Sequence, residues 1–162
     1  MLLEGKCAVV YGAGGAIGAA VAKSFAAEGA HVALAGRSLE RLEQVMAEIV
    51  QDGGRAEVAP VDAHDEQDVA DHLHRLLAGT GRLDVSFNAV GLGYVIGEPL
   101  IEARVDDFAT SVQAAMRTHF VTATAAGRQM ASAGRLWARL DSNQGPRDYE
   151  PAFARASWES RE

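Results

Sequence analysis

The sharpest chemistry in this chain lies in one run, Gly12-Ala-Gly-Gly-Ala-Ile-Gly18. It follows the apolar stretch Cys7-Ala-Val-Val-Tyr11 and precedes a segment that places Ile17, Val21 and Phe25 at helical spacing. Strand, glycine turn and helix in that order make a seat for a pyrophosphate. Gly12 permits the tight turn, Gly14 and Gly15 let a phosphate approach the backbone, and Gly18 lets the helix pack close to the strand. The free N–H groups and positive dipole end of the helix face the anion. A dinucleotide is the expected ligand, and a purely structural turn is the alternative.

Other groups with chemical potential read as structural. Cys7 is a lone cysteine in an apolar run, expected to be buried and inert. Asp62, His64 and Asp65 with His72 and His74 do not make a metal site, because His72 and His74 point to different faces of a helix. Both histidines are expected on a solvated face. Asp65, Glu66, Asp68 and Asp71 crowd a helix start, where the dipole favours negative charge, and Asp106 and Asp107 read as a cap pair. His119 is expected at the surface or an interface, and no metal is expected.

The elements that position the glycine turn alternate between two hydrophobic periods. His31–Ala35 is a second strand, and Ser38 stands at the N-cap position of a helix with the stripe Leu39, Leu42, Val45, Met46, Ile49. Asp52-Gly-Gly54 stops that helix, and Glu57–Val61 is a third strand in which Pro60 favours an edge or terminal place. Asp65 caps a helix with Val69, Leu73, Leu76 and Leu77 inward, ending before Gly79. Leu83–Asn88 is a fourth strand, followed by a Gly-rich loop through Pro99 and a long helix carrying Phe108, Val112, Met116 and Phe120 toward Met130. This βαβαβαβα order implies a doubly wound α/β fold, a Rossmann-like parallel sheet of order 3-2-1-4 that stops before a fifth strand.

The 162 residues hold 15 Lys+Arg against 22 Asp+Glu, a formal charge of −7, with 48% apolar residues. That length suits one compact domain of roughly 100–150 residues. An acidic balance with lysine only at Lys6 and Lys23 argues against nucleic acid, and no apolar run reaches the ~20 residues that span a bilayer. A cytoplasmic location without membrane association is expected. Composition changes near Gly134: both tryptophans (Trp137, Trp158) and two of the four prolines (Pro146, Pro151) follow it. Residues 1–134 are therefore read as the dinucleotide-binding domain and 135–162 as an irregular tail.

Four motifs in order resemble the short-chain dehydrogenase/reductase family. Tyr11-Gly12-Ala-Gly-Gly-Ala16-Ile17-Gly18 is similar to its T-G-x-x-x-G-x-G loop, with Tyr for the first Thr and Ala16 for the middle Gly. Ala35-Gly36-Arg37-Ser38 resembles its specificity turn, Val61-Asp62 its adenine-contacting Asp, and Asn88-Ala-Val-Gly91 its N-N-A-G motif. The resemblance implies cofactor contacts at Gly12, Gly14, Gly15, Ile17, Gly18, Arg37, Asp62, Ala63, Asn88 and Ala89. An NAD site usually ends the second strand with a carboxylate that accepts from the ribose 2′-OH, whereas Arg37 matches a 2′-phosphate. NADP is expected. NAD is the alternative, because Gly15 stands where many NADP-preferring relatives carry a second basic residue.

The same family uses a Ser, a Tyr and a Lys four residues after the Tyr to move the proton, and those residues have no match here. Tyr149 is followed four residues later by Phe153, Ser142 lacks the family's surroundings, and Ala115 stands where its long-helix Asn belongs. No catalytic residue is assigned. The resemblance implies an oxidoreductase passing hydride between a nicotinamide cofactor and a carbonyl or alcohol, and these residues alone are expected to be inactive. A catalytically silent NADP(H)-binding module or a frameshifted remnant is the alternative. The open side of the fourth strand and the Phe108–Phe120 stripe predict a homo-oligomer or aggregation.

Overall fold

The computed structural model describes residues 1–91, 99, 101, 102 and 104–134. The expectations for residues 135–162, Ser142 and Tyr149 among them, and for most of the Gly-rich loop lie outside the described residues. Strand β1 is Cys7–Tyr11, followed by helix α1 at Ala16–Ala27, β2 at His31–Gly36, α2 at Leu39–Gln51 and β3 at Arg55–Pro60. Helix α3 spans Glu66–Thr80, β4 Val85–Asn88 and α4 Val105–Ser132.

The four strands are parallel in the order β3-β2-β1-β4, with Val9 opposite Ala33 and Ser86. Alternation along the strands feeds two cores. Ala8, Val10, Val32 and Leu34 pack with α1 and α2, while Cys7, Val9, Tyr11 and Ala33 pack with α3 and α4. All five residues of β1 are buried, as a central strand covered on both faces requires. Pro60 closes the edge strand β3, where its missing N–H costs no ladder bond.

Several local readings need correction. Ile17 is 71% exposed at the mouth of the glycine turn, and α1 instead buries Gly18, Ala22 and Ala26. Small residues let α1 lie close to the sheet. Ser38 occupies the N-cap position of α2 without a side-chain hydrogen bond, and Leu39 is exposed. Helix α3 runs past Gly79 to a left-handed cap at Gly81, whose N–H donates to the Leu77 carbonyl. Its start is as read: the Asp65 side chain accepts from the Gln67 and Asp68 N–H groups.

His72 is the largest departure from expectation. It is 3% exposed, edge-on to Tyr11 with ring centroids 6.1 Å apart, while His74 is exposed as expected. His72 Nδ1 and the Tyr11 hydroxyl have no hydrogen-bond partner among the described residues. Burial, and secondarily the nearby Arg75 charge, lowers the His72 pKa. The unfolded chain therefore binds a proton near pH 6.5 that the folded chain refuses. Stability conferred by neutral His72 is complete above the unfolded pKa and declines as pH falls below it, by up to about 1.4 kcal/mol per pH unit. His72→Phe keeps the edge-on aromatic contact without a titratable ring. Its thermal midpoint should fall less than that of the parent chain between pH 7 and pH 5.5, and parallel pH profiles would show that His72 does not govern the slope.

Candidate functional site

The carboxyl ends of all four strands open onto one cleft of ≈ 530 Å³, within the usual size of a small-molecule site. Each strand contributes the loop that follows it. The β1 turn supplies Gly12, Gly14, Gly15, Ala16 and Ile17; the loop after β2 supplies Arg37 and Ser38, and the first turn of α2 supplies Arg41. The loop after β3 supplies Val61, Asp62, Ala63 and His64, and the loop after β4 supplies Ala89, Val90 and Gly91. Of the residues singled out from sequence, Gly12, Gly14, Gly15, Ile17, Arg37, Asp62, Ala63 and Ala89 line this cleft.

Gly18 and Asn88 lie behind the cleft wall and shape it. A Cβ on Gly18 would fall 2.3 Å from the Gly12 carbonyl oxygen, so only glycine lets α1 start this close to the turn. The Asn88 Oδ1 accepts from the Val90 N–H at 2.9 Å and its Nδ2 donates to Thr118 Oγ1 at 3.2 Å, which fixes the β4 loop against α4. Gly12 has φ +75 and sits against the Ala89 backbone. Gly14 admits Arg41, whose Cβ would be 3.0 Å from a Cβ there. Gly15 has only the Gly12 oxygen within reach, at 3.4 Å, which leaves open space above the turn.

The turn leaves the start of α1 without a side-chain cap or an acid of its own. The first N–H groups of a helix lack intrahelical acceptors. In α1 the Gly15 cap offers them no side chain and its first turn holds no acid, whereas α2, α3 and α4 each carry acids there. The positive end of the α1 dipole therefore meets no negative charge from its own helix. At the neighbouring loop the exposed guanidinium groups of Arg37 and Arg41 are paired with no carboxylate among the described residues. Arg41 was missed in the sequence, although its place in the first turn of the helix with Ser38 at its N-cap position, directly after the specificity turn, was the available signal.

Asp62 closes the β3 side. Its Oδ1 accepts from the His64 N–H at 3.0 Å, its own N–H donates to Asp68 Oδ2 at 2.7 Å, and its second carboxylate oxygen has no protein partner among the described residues. Tyr11 borders the cleft from below, but burial raises its pKa well above the ordinary phenol range, so it is no acid or base at neutral pH. Ala115 is buried in α4 and has no polar group to offer. Among the described residues no group of three His, Cys, Asp or Glu is placed to hold a metal, and no helix is long and apolar enough to cross a membrane.

The short chain dehydrogenase profile matches residues 6–137. An uncharacterized oxidoreductase of Staphylococcus aureus is 34% identical over 126 residues, covering 77% of this chain and 52% of that protein. The fatty acyl-CoA reductase of Acinetobacter baylyi is 38% identical over 89 residues, 55% of this chain and 30% of that protein. A metagenomic short-chain oxidoreductase in complex with NADP superposes with TM-score 0.72 at 33% identity, covering 83% of this chain and 61% of that one. An NAD+-bound xylitol dehydrogenase superposes with TM-score 0.73 at 30% identity, covering 82% and 51%. The chain thus spans about half the length, or less, of these curated relatives.

Proposed function

The chain belongs to the short-chain dehydrogenase family of nicotinamide-dependent oxidoreductases, and on that premise we propose that its cleft binds NADP(H) in preference to NAD(H). The observation that carries this reading is the pair Arg37, just after β2, and Arg41, in the first turn of α2, which line the cleft while the Glu40 between them does not, so no carboxylate of this stretch is placed to receive a ribose 2′-OH. The relatives favour neither cofactor, since structures holding NADP and NAD+ fit equally well. The sheet order supports a layout for the rest of the ligand. With the pyrophosphate at the β1 turn and the 2′-phosphate beside β2, adenosine lies toward the β3 loop at Asp62 and Ala63, and nicotinamide toward the β4 loop at Ala89.

In this reading the bound cofactor supplies hydride chemistry toward a carbonyl or alcohol, and these 162 residues hold and orient it without a proton relay of their own. Lysine occurs only at Lys6 and Lys23, and Ala115 stands where the family resemblance implies a long-helix Asn. An isolated tyrosine near pKa 10 without a cationic neighbour is a poor acid at neutral pH. Saturating NADPH, at about 100 times its dissociation constant, should stabilise the chain by about 2.7 kcal/mol in denaturation. NADPH oxidation in the presence of aldehydes and ketones should stay at background. Turnover abolished by Tyr149→Phe would overturn the second half of the reading, and an unshifted denaturation midpoint the first.

A second copy of the chain is the proposed partner. Phe108 and Phe120 are 65% and 66% exposed on the same face of α4 as Val112 and Met116, and β4 has no strand on its outer side among the described residues. An exposed apolar stripe and an open strand edge are each association surfaces. Light scattering at micromolar concentration should give a dimer or larger, and Phe108→Glu with Phe120→Glu should lower the mass. A parent chain that is already monomeric would remove this part of the account.

A further inference from the structure

We propose that α4 braces the cleft from behind, with Arg117 acting as a positioning residue for the adenosine side and Thr118 for the nicotinamide side. The two are consecutive in the helix and reach opposite walls. Arg117 Nε donates to the His64 carbonyl at 2.9 Å across 53 residues of chain, and His64 ends the Asp62–His64 stretch that lines the cleft. Thr118 is buried, donates its hydroxyl to the Ala115 carbonyl at 3.0 Å and accepts from Asn88 Nδ2, so its orientation is fixed at both ends. Asn88 in turn holds the Val90 N–H.

The β3 loop depends on this brace. Within the loop, the Asp65 N–H donates to the Asp62 carbonyl and the His64 N–H to the Asp62 carboxylate, both short-range contacts. Those bonds set the curvature of the loop. On the carbonyl side of His64, the guanidinium of Arg117 ties that curve to a second element, and a charged donor makes a stronger bond than a neutral one. A helix that touches both walls fixes the distance between them, which is what a ligand spanning β3 to β4 must match.

The inference rests on the reading of the cleft as a dinucleotide site, and the two are tested separately by ligands that fill part or all of it. Arg117 is exposed, so Arg117→Gln leaves the core intact. It should weaken adenosine 2′,5′-bisphosphate and NADPH alike by about fivefold, with faster hydrogen exchange at the His64 amide and no change at Val9. Thr118→Val should weaken NADPH while leaving the bisphosphate within twofold, a split that general destabilisation does not produce. Equal bisphosphate binding by Arg117→Gln and the parent would overturn this inference alone. A parent chain that binds neither ligand would overturn it together with the reading beneath it.

Discussion

Alanine in place of Gly12 should destabilise the fold by about 2–4 kcal/mol and remove dinucleotide binding. Two costs combine. At φ +75 a side chain is strained whatever the space, at about 1–2 kcal/mol for an L-residue. The added Cβ would also lie 2.6 Å from the Ala89 oxygen, 2.7 Å from its carbonyl carbon and 2.8 Å from the Val90 nitrogen. All three are backbone atoms, so no rotamer change relieves the clash, and the β1 turn and β4 loop must separate. Both line the cleft, so binding goes with the packing. Gly53 is the matched control, since it has φ +81 with nothing within 4 Å of a Cβ, and Gly53→Ala should show the strain alone. Urea denaturation of the two variants separates the terms. Equal midpoints would mean that the Gly12–Ala89 contact yields without cost.

Replacing Arg37 with aspartate should reverse the cofactor preference. A charge-assisted guanidinium contact to phosphate is worth about 1.5–3 kcal/mol, or roughly tenfold to a hundredfold in affinity for NADPH. Aspartate at this position repels the 2′-phosphate and accepts from a free ribose 2′-OH, so NADPH loses while NADH gains. The ratio of the two affinities should move by about a hundredfold. Arg41 stays in place beside Gly14 and should retain part of the attraction for phosphate. Arg37→Asp combined with Arg41→Ala should carry the reversal further than Arg37→Asp alone.

What was legible in the sequence follows from how local each signal is. Cys7–Tyr11 and the glycine turn were readable because a short apolar run and a set of missing Cβ atoms act within a dozen residues. The order β3-β2-β1-β4 followed from handed crossovers between such units. Ile17 shares helical spacing with Val21 and Phe25, but the first turn of α1 projects it over the cleft, while Val21 and Phe25 pack against the core. His72 was misread for the opposite reason. It fills the second position of the Val69, His72, Leu73, Leu76 stripe, and its residue type outweighed its register. The α3 boundary was misplaced by two residues because Gly79 and Gly81 both signal an end and only Gly81 takes the left-handed conformation.

The site was half legible on the same grounds. Gly12, Gly14, Gly15, Arg37, Asp62 and Ala89 each stand in a loop next to the strand that presents them. Arg41 reaches the cleft only because α2 leaves β2 at an angle that brings its side chain over Gly14. The Arg117–His64 and Thr118–Asn88 contacts join segments 53 and 30 residues apart, and no local pattern announces them. They depend on how α4 lies across α3 and β4 once the crossover is made.

The most direct test of the central claim is calorimetric titration of the parent chain with NADPH and with NADH under identical salt. The account predicts one site per chain and at least tenfold tighter binding of NADPH, carried by Arg37 at the end of β2. Equal affinities, or tighter binding of NADH, would contradict it.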